Sequence, residues 1–150
     1  MALVQGLDGL RTLVGADLGH SDWLEINQDR VDTFAGATGD HQWIHVDVAR
    51  AATGPFSGTI AHGYLTLALV IPLWTKLLHI EDIGMAVNYG LNRVRFPAPV
   101  PVGAEVRLRA RVVAVDEVRD GVQLTVEFTM EVRGSDKPAL VAEALYRYHV

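Results

Sequence analysis

Apolar and polar side chains alternate along residues 124–133, and this pattern constrains the fold more than any other feature of the chain. The apolar set is Leu124, Val126, Phe128, Met130 and Val132, and the polar set is Thr125, Glu127, Thr129, Glu131 and Arg133. A period of two predicts a strand with one buried and one solvated face. Residues 106–112 repeat the pattern, and residues 87–96 and 140–150 predict two further strands. Asp120-Gly121 predicts a hairpin within an antiparallel sheet.

The longest apolar segment, residues 60–78, has helical spacing instead. Most positions between its periodic apolar residues are apolar too, so we expect a helix that is enclosed on most sides. His62, Pro72 and Lys76 interrupt the segment and argue against a membrane span. Pro72 is also expected to bend or shorten the helix. An antiparallel sheet wrapped around one apolar helix satisfies both patterns, which predicts a single α+β domain over residues 1–150.

Capping residues divide the segment that precedes this helix. Asn27 is a predicted N-cap for a short helix over residues 28–37, after which the glycines predict a loop over residues 39–45. Asp47 is a predicted cap for a second brief helix that runs to residue 52. The first half of the chain is therefore expected to be helix-rich and the second half strand-rich.

The composition excludes several functional classes. A formal charge of −5 and the lack of a basic run argue against binding to nucleic acid or to a membrane surface. The absence of cysteine excludes thiol catalysis, disulfides and thiolate metal sites. The first 18 residues carry acids and glycines where a signal peptide has a basic start and an apolar stretch. We therefore expect a cytoplasmic protein.

Residues 38–47 form the densest cluster of reactive side chains, with two imidazoles and two carboxylates. Addition of water to an activated double bond requires a base for the water and an acid for the α-carbon, and a carboxylate and an imidazole that hold one water can supply both. Asp40 and His45 have a spacing that a loop can fold so that both reach one water. The alternative is structural, because Asp after Gly is a common turn or cap residue and an isolated His commonly forms a structural hydrogen bond.

A second candidate site is Ala61-His62-Gly63-Tyr64, at the start of the apolar helix. Backbone amides at a helix start lack intrahelical partners and can bind a carbonyl oxygen as it gains negative charge. Gly63 has no side chain to block that approach. The alternative is that Gly63 only permits close packing at this point.

The sequence favours neither a metal site nor a serine hydrolase. His41 and His45 lie four positions apart near Asp40, but a loop does not provide helical geometry and no recognised ligand signature is matched. We therefore expect no metal site. Ser57 lacks the glycine spacing of a nucleophile elbow, which argues against a serine hydrolase.

These residues resemble the MaoC-like family of (R)-specific enoyl-CoA hydratases, also called hydratase 2, which has the hot-dog fold. The positions that fit the family pattern are Phe34, Gly39-Asp40, Ile44, His45 and Ala51. Gln42-Trp43 stands where Asn-Pro is usual, a departure that resembles the nodulation-protein-N branch. Further similarity lies at residues 60–63, 95–100 and 103–106, so the resemblance extends from about residue 26 to the C-terminus.

The resemblance implies syn hydration of a trans-2-enoyl-CoA to a (3R)-3-hydroxyacyl-CoA, and the reverse dehydration, in fatty-acid metabolism. Asp40 and His45 would hold the water, the Gly63 amide would face the thioester oxygen, and no cofactor is expected because coenzyme A is part of the substrate. A homodimer is also implied, with coenzyme A near the dimer interface. The residues expected to contact the substrate are His62, Tyr64, Arg93 and Arg95, with Arg107 and Arg109 as further candidates for the phosphates. For most of these arginines a solvated strand face is the alternative.

Two other functions fit the same fold. A hot-dog thioesterase would direct water to the thioester carbonyl, although such enzymes commonly use one carboxylate without this His. A non-catalytic acyl-CoA-binding or interaction protein would bind acyl-CoA without turnover and would be indifferent to Asp40 and His45.

Overall fold

The sheet in the second half of the chain is antiparallel, as the alternation predicts. In the computed structural model, which describes residues 1–150, the long strands are β5 (Met85–Arg95), β6 (Glu105–Val118), β7 (Gly121–Val132) and β8 (Leu140–His149). Their order in the sheet is β6-β7-β8-β5, which makes β5 an edge strand. Val126 of β7 lies opposite Val112 of β6 and Ala144 of β8, so the apolar positions of neighbouring strands share one face. The hairpin turn consists of Arg119 and Asp120, one position earlier than predicted, since Val118 pairs with Gly121.

The N-terminal segment contains elements that the sequence pattern did not predict. These are β1 (Ala2–Gln5), α1 (Gly6–Arg11), β2 (Asp17–His20) and β3 (Leu24–Glu25). The strands β2 and β3 pair with β6 and extend the main sheet beyond it. β1 pairs in parallel with β4 (Leu78–Glu81), which follows the apolar helical segment directly.

The apolar segment forms two consecutive helices, α5 (Gly63–Ala68) and α6 (Val70–Leu77), in place of one helix over residues 60–78. Pro72 explains the division, because its missing N–H leaves the carbonyl of Ala68 without the donor four residues later. Leu69 joins the helices and keeps a right-handed helical conformation, with φ −70° and ψ −11°. Its amide donates to the carbonyl of Leu65 and its carbonyl accepts from the amide of Leu73, so helical hydrogen bonds continue through the joint, as expected for a helix that Pro72 bends or shortens.

The helices that precede α5 begin where their caps predict. Asn27 caps α2 (Gln28–Thr38) by accepting a hydrogen bond from the amide of Arg30, and Gly39 ends the helix with a left-handed φ of 77°. Asp47 likewise caps α4 (Val48–Ala52). The prediction of a loop over residues 39–45 is only partly correct, because His45 lies in the one-turn helix α3 (Trp43–Val46).

The core lies between α6 and the apolar face of the sheet. Trp74 of α6 packs edge-on against Phe128 with 5.4 Å between ring centroids, and it stacks on Tyr146 with 6.0 Å between centroids. Its Nε1–H donates to the hydroxyl of Tyr148 at 3.1 Å. Aromatic side chains therefore fix how α6 lies on β7 and β8.

None of the helices combines the length and the apolarity needed to cross a membrane.

Candidate active site

The end of α2 places Asp40. Gly39 turns the chain out of the helix, and the carboxylate of Asp40 then accepts a hydrogen bond from the amide of Gln42 at 3.4 Å, immediately before α3 begins. Such an interaction with the backbone two residues later is typical of Asp in turns. The side chain of Asp40 is exposed, so its carboxylate lies at the outer rim of the site.

The ring of His45 is buried and has a fixed orientation. Its Nδ1 lies 2.7 Å from the carbonyl oxygen of Ile60. Because a carbonyl oxygen only accepts hydrogen bonds, Nδ1 must carry the proton, and Nε2 of the neutral ring keeps its lone pair. The amide of Ile60 donates in turn to the carbonyl of Ile44 at 3.0 Å, which ties α3 to the segment before α5.

His62 lies directly beneath the ring of His45. The two imidazoles stack with 3.8 Å between centroids and 24° between planes, and Phe34 packs against His62 at 4.9 Å. Nε2–H of His62 donates to the backbone carbonyl of Asp40 at 2.9 Å. The side chain is only 2% exposed, and its Nδ1 is buried without a hydrogen-bond partner. His62 therefore contacts both predicted catalytic residues and does not face solvent.

Asp40, His45 and His62 converge. A carboxylate oxygen of Asp40 and one ring nitrogen from each His lie within 4.8 Å of one another. Two hydrogen bonds of about 2.8 Å each can span that distance, so one water can contact both Asp40 and His45. The three residues are of types that bind metal ions, but nearly parallel stacked rings do not aim their nitrogen lone pairs at a common point. The geometry suits a bound water better than a metal.

Gly63 is the first residue of α5, so its amide has no partner within the helix. A Cβ at this position would lie 3.3 Å from the ring of Phe96, so only glycine fits there without movement of the ring. Tyr64 is the next residue and is largely exposed. The structure thus places the predicted amide beside His62, next to an open surface.

Arg93 and Arg95 project from β5 on the face opposite the helices. They pair across the strands with Glu143 and Val141, and both positions belong to the polar face of β8. The structure does not bring either guanidinium together with the Asp40, His45 and His62 cluster. A role for them in coenzyme A binding stays a prediction.

The sequence pattern did not identify Gln28 and Thr59, which form hydrogen bonds that hold the backbone of His45. The side-chain amide of Gln28 donates to the carbonyl of His45 at 2.8 Å, and its oxygen accepts from the hydroxyl of Thr59 at 2.6 Å. Neither residue has a reactive side chain, and the contacts join positions 17 and 31 residues apart. No local spacing in the sequence signals such contacts.

The chain belongs to the MaoC-like domain family. The model of the MaoC like domain matches residues 10–133. The 3-hydroxyacyl-thioester dehydratase Z of Mycobacterium tuberculosis is 52% identical over 149 residues, which cover 99% of each chain. Nodulation protein N of Rhizobium leguminosarum bv. viciae is 44% identical over 133 residues, 86% of this chain and 82% of that protein.

Among solved structures, the (R)-hydratase from A. caviae involved in PHA biosynthesis superimposes with a TM-score of 0.73. It is 27% identical and the match covers 89% of this chain and 94% of that one. The predicted hot-dog fold is therefore confirmed. The resemblance to the nodulation-protein-N branch is confirmed as well.

Proposed function

We propose that this protein is an (R)-specific hydratase that adds water to a trans-2-enoyl-CoA and gives a (3R)-3-hydroxyacyl-CoA, with dehydration as the reverse reaction. The convergence of Asp40 and His45 on a space that one water can fill is the main support. The names of the dehydratase relative and of the (R)-hydratase describe the same chemistry in proteins that are similar to this chain.

The proposed mechanism uses the fixed tautomer of His45. Because Nδ1–H is engaged by Ile60, the lone pair on Nε2 accepts a proton from the water as its oxygen attacks the β-carbon. The carboxylate of Asp40 accepts the other hydrogen bond of the water and stabilises the imidazolium that forms. Return of the proton from Nε2 to the α-carbon gives syn addition, since water and proton come from one side. The reaction is redox-neutral, so we propose that it needs no cofactor.

In this mechanism the Gly63 amide donates to the thioester oxygen. Negative charge develops on that oxygen as the β-carbon is attacked, and a positioned N–H stabilises it in the transition state. Loss of one such donor costs about 3 kcal/mol in other enzymes. The neighbouring Tyr64 is exposed and is available for contact with the substrate.

We expect the purified protein to hydrate crotonyl-CoA to (3R)-3-hydroxybutyryl-CoA without releasing coenzyme A. Loss of the enoyl absorbance measures hydration, a thiol reagent measures released coenzyme A, and chiral chromatography identifies the product. Thiol release without hydration would identify a thioesterase. Binding of crotonyl-CoA with neither reaction would identify a non-catalytic acyl-CoA-binding protein.

We also propose that two chains form a homodimer through β5. This strand lies at the edge of the sheet, and the alternate residues Met85, Val87 and Tyr89 are all exposed apolar side chains. An exposed apolar edge strand is a template for pairing with another strand, and monomeric proteins usually protect such an edge with charges.

Location in the cytoplasm stays a prediction from the sequence.

The double substitution Val87→Lys/Tyr89→Lys is expected to convert this dimer to a monomer, because it places like charges at the paired edges. Light scattering after size exclusion measures the mass against the 16.4 kDa of one chain. The matched control is Val14→Lys, at an exposed apolar residue outside the edge strand. A monomeric wild type, or a double variant that remains dimeric, would refute the interface.

A further inference from the structure

Two adjoining cavities lie between α5, α6 and the edge of the sheet. The first has a volume of about 300 Å³ and is mostly apolar, with Leu67 and Phe128 among its lining residues. The second has about 480 Å³ and extends past Trp74. Ile71, Asn88 and Tyr146 line both cavities, so the two lie side by side around these residues.

A single row of helix positions leads from the Gly63 amide into this space. Gly63 and Leu67 are four residues apart on α5, and Ile71 and Thr75 are four apart on α6, so each pair lies on one helix face. Helical hydrogen bonds from Leu69 to Leu65 and from Leu73 to Leu69 carry the row across the joint between the two helices. Leu67 lines the first cavity, Ile71 lines both and Thr75 lines the second. From Gly63 to Ile71 the rise is about 12 Å at the helical rise per residue. Along these positions, an acyl chain whose thioester lies at Gly63 would pass Leu67 and reach the first cavity, which Tyr146 also lines.

The far end of this apolar space contains unused hydrogen-bond donors. Tyr146 is 6% exposed and its hydroxyl makes no hydrogen bond to the protein. That oxygen is not fully enclosed by protein, since Nδ1 of His62 is the one enclosed side-chain polar atom without a partner, and Tyr146 lines both cavities. The hydroxyl of Tyr148 accepts from Trp74, while its own O–H has no acceptor. Burial raises the pKa of both tyrosines, so both hydroxyls stay protonated donors at physiological pH.

Donors that face an apolar cavity and have no protein partner are available to a ligand or a water. We propose that Tyr146 and Tyr148 select enoyl thioesters of medium length whose acyl chain carries a hydrogen-bond-accepting oxygen near its far end, for which a keto group is the probe. The oxygen of such a chain accepts from the hydroxyls, while its methylene groups fill the apolar part of the cavity. This inference rests on the proposed hydratase activity and adds the class of acyl chain.

The test compares two medium-chain enoyl-CoA substrates of equal length, one alkyl and one with a keto group next to the terminal methyl. We expect the wild type to prefer the keto substrate in kcat/KM by about ten-fold or more, because a site that donates to a substrate oxygen discriminates against an analogue without it. Tyr146→Phe is expected to abolish this preference and to hydrate the alkyl substrate at least as fast as the wild type. Tyr148→Phe should reduce the preference, and Val14→Ala, at an exposed residue that lines neither cavity, should leave it unchanged.

Crotonyl-CoA separates failure of this inference from failure of the proposed function, because its chain is too short to reach Tyr146. Hydration of crotonyl-CoA with no preference between the two longer substrates rejects selection by the tyrosines. A preference that persists in both Phe variants rejects it too, and shows that residues other than the two tyrosines select the keto oxygen. No hydration of any substrate rejects the proposed function and this inference with it.

Discussion

Asp40→Asn and His45→Gln are each expected to lower kcat for crotonyl-CoA hydration by about a hundred-fold to ten-thousand-fold. Proton transfer by a positioned side chain contributes a factor of this size. Asn cannot stabilise an imidazolium as a carboxylate does, and Gln has no lone-pair nitrogen at the position of Nε2. Since both residues act on one water, the double variant should be little slower than either single variant.

Both variants should fold as the wild type does, so a lower kcat would not result from unfolding. Asp40 is exposed, and Gln at position 45 retains an amide that can donate to Ile60. Circular dichroism and thermal unfolding check the fold. His41→Gln is the matched control, because His41 is exposed and does not belong to the converging cluster. Near-normal rates in both variants would contradict the roles assigned to Asp40 and His45.

The long strands were predictable because their signal is local. Each position of β7 between Leu124 and Val132 alternates in burial, and the neighbouring strands repeat this through their register. β1 could not be predicted in the same way, because its four residues carry little periodicity and its partner β4 is 76 residues away. Short strands that depend on distant partners are specified by tertiary packing, which no window of sequence contains.

The predicted site shows the same contrast between local and distant signals. Asp40 and His45 were found because their chemistry and spacing lie within one short segment. His62 was predicted to contact the substrate, whereas the structure places it beneath His45 with a hydrogen bond to the carbonyl of Asp40. That arrangement joins α2, α3 and α5 across 22 residues, and side-chain type alone does not reveal it.

Substitution of His62 is expected to have the second large effect on kcat. Its Nε2–H anchors the backbone of Asp40, and its ring supports the plane of His45, so it positions both residues without facing solvent. His62→Phe retains a ring but removes the donor. We expect kcat to fall by about ten-fold or more, because misplacement of catalytic groups by about 1 Å can cost up to a hundred-fold. KM should change little, since His62 is not exposed to substrate.

Stability measurements distinguish this positioning role from a purely structural one. His62→Phe loses one hydrogen bond but also removes the buried Nδ1 that has no partner, so the free energy of unfolding should change by less than about 1 kcal/mol. His62→Gln keeps a side-chain N–H that can reach the carbonyl of Asp40, and should recover part of the lost kcat. Wild-type kcat in His62→Phe would contradict positioning by His62. If kcat falls only in proportion to the amount of folded protein, and His62→Gln recovers none of it, then His62 has a purely structural role.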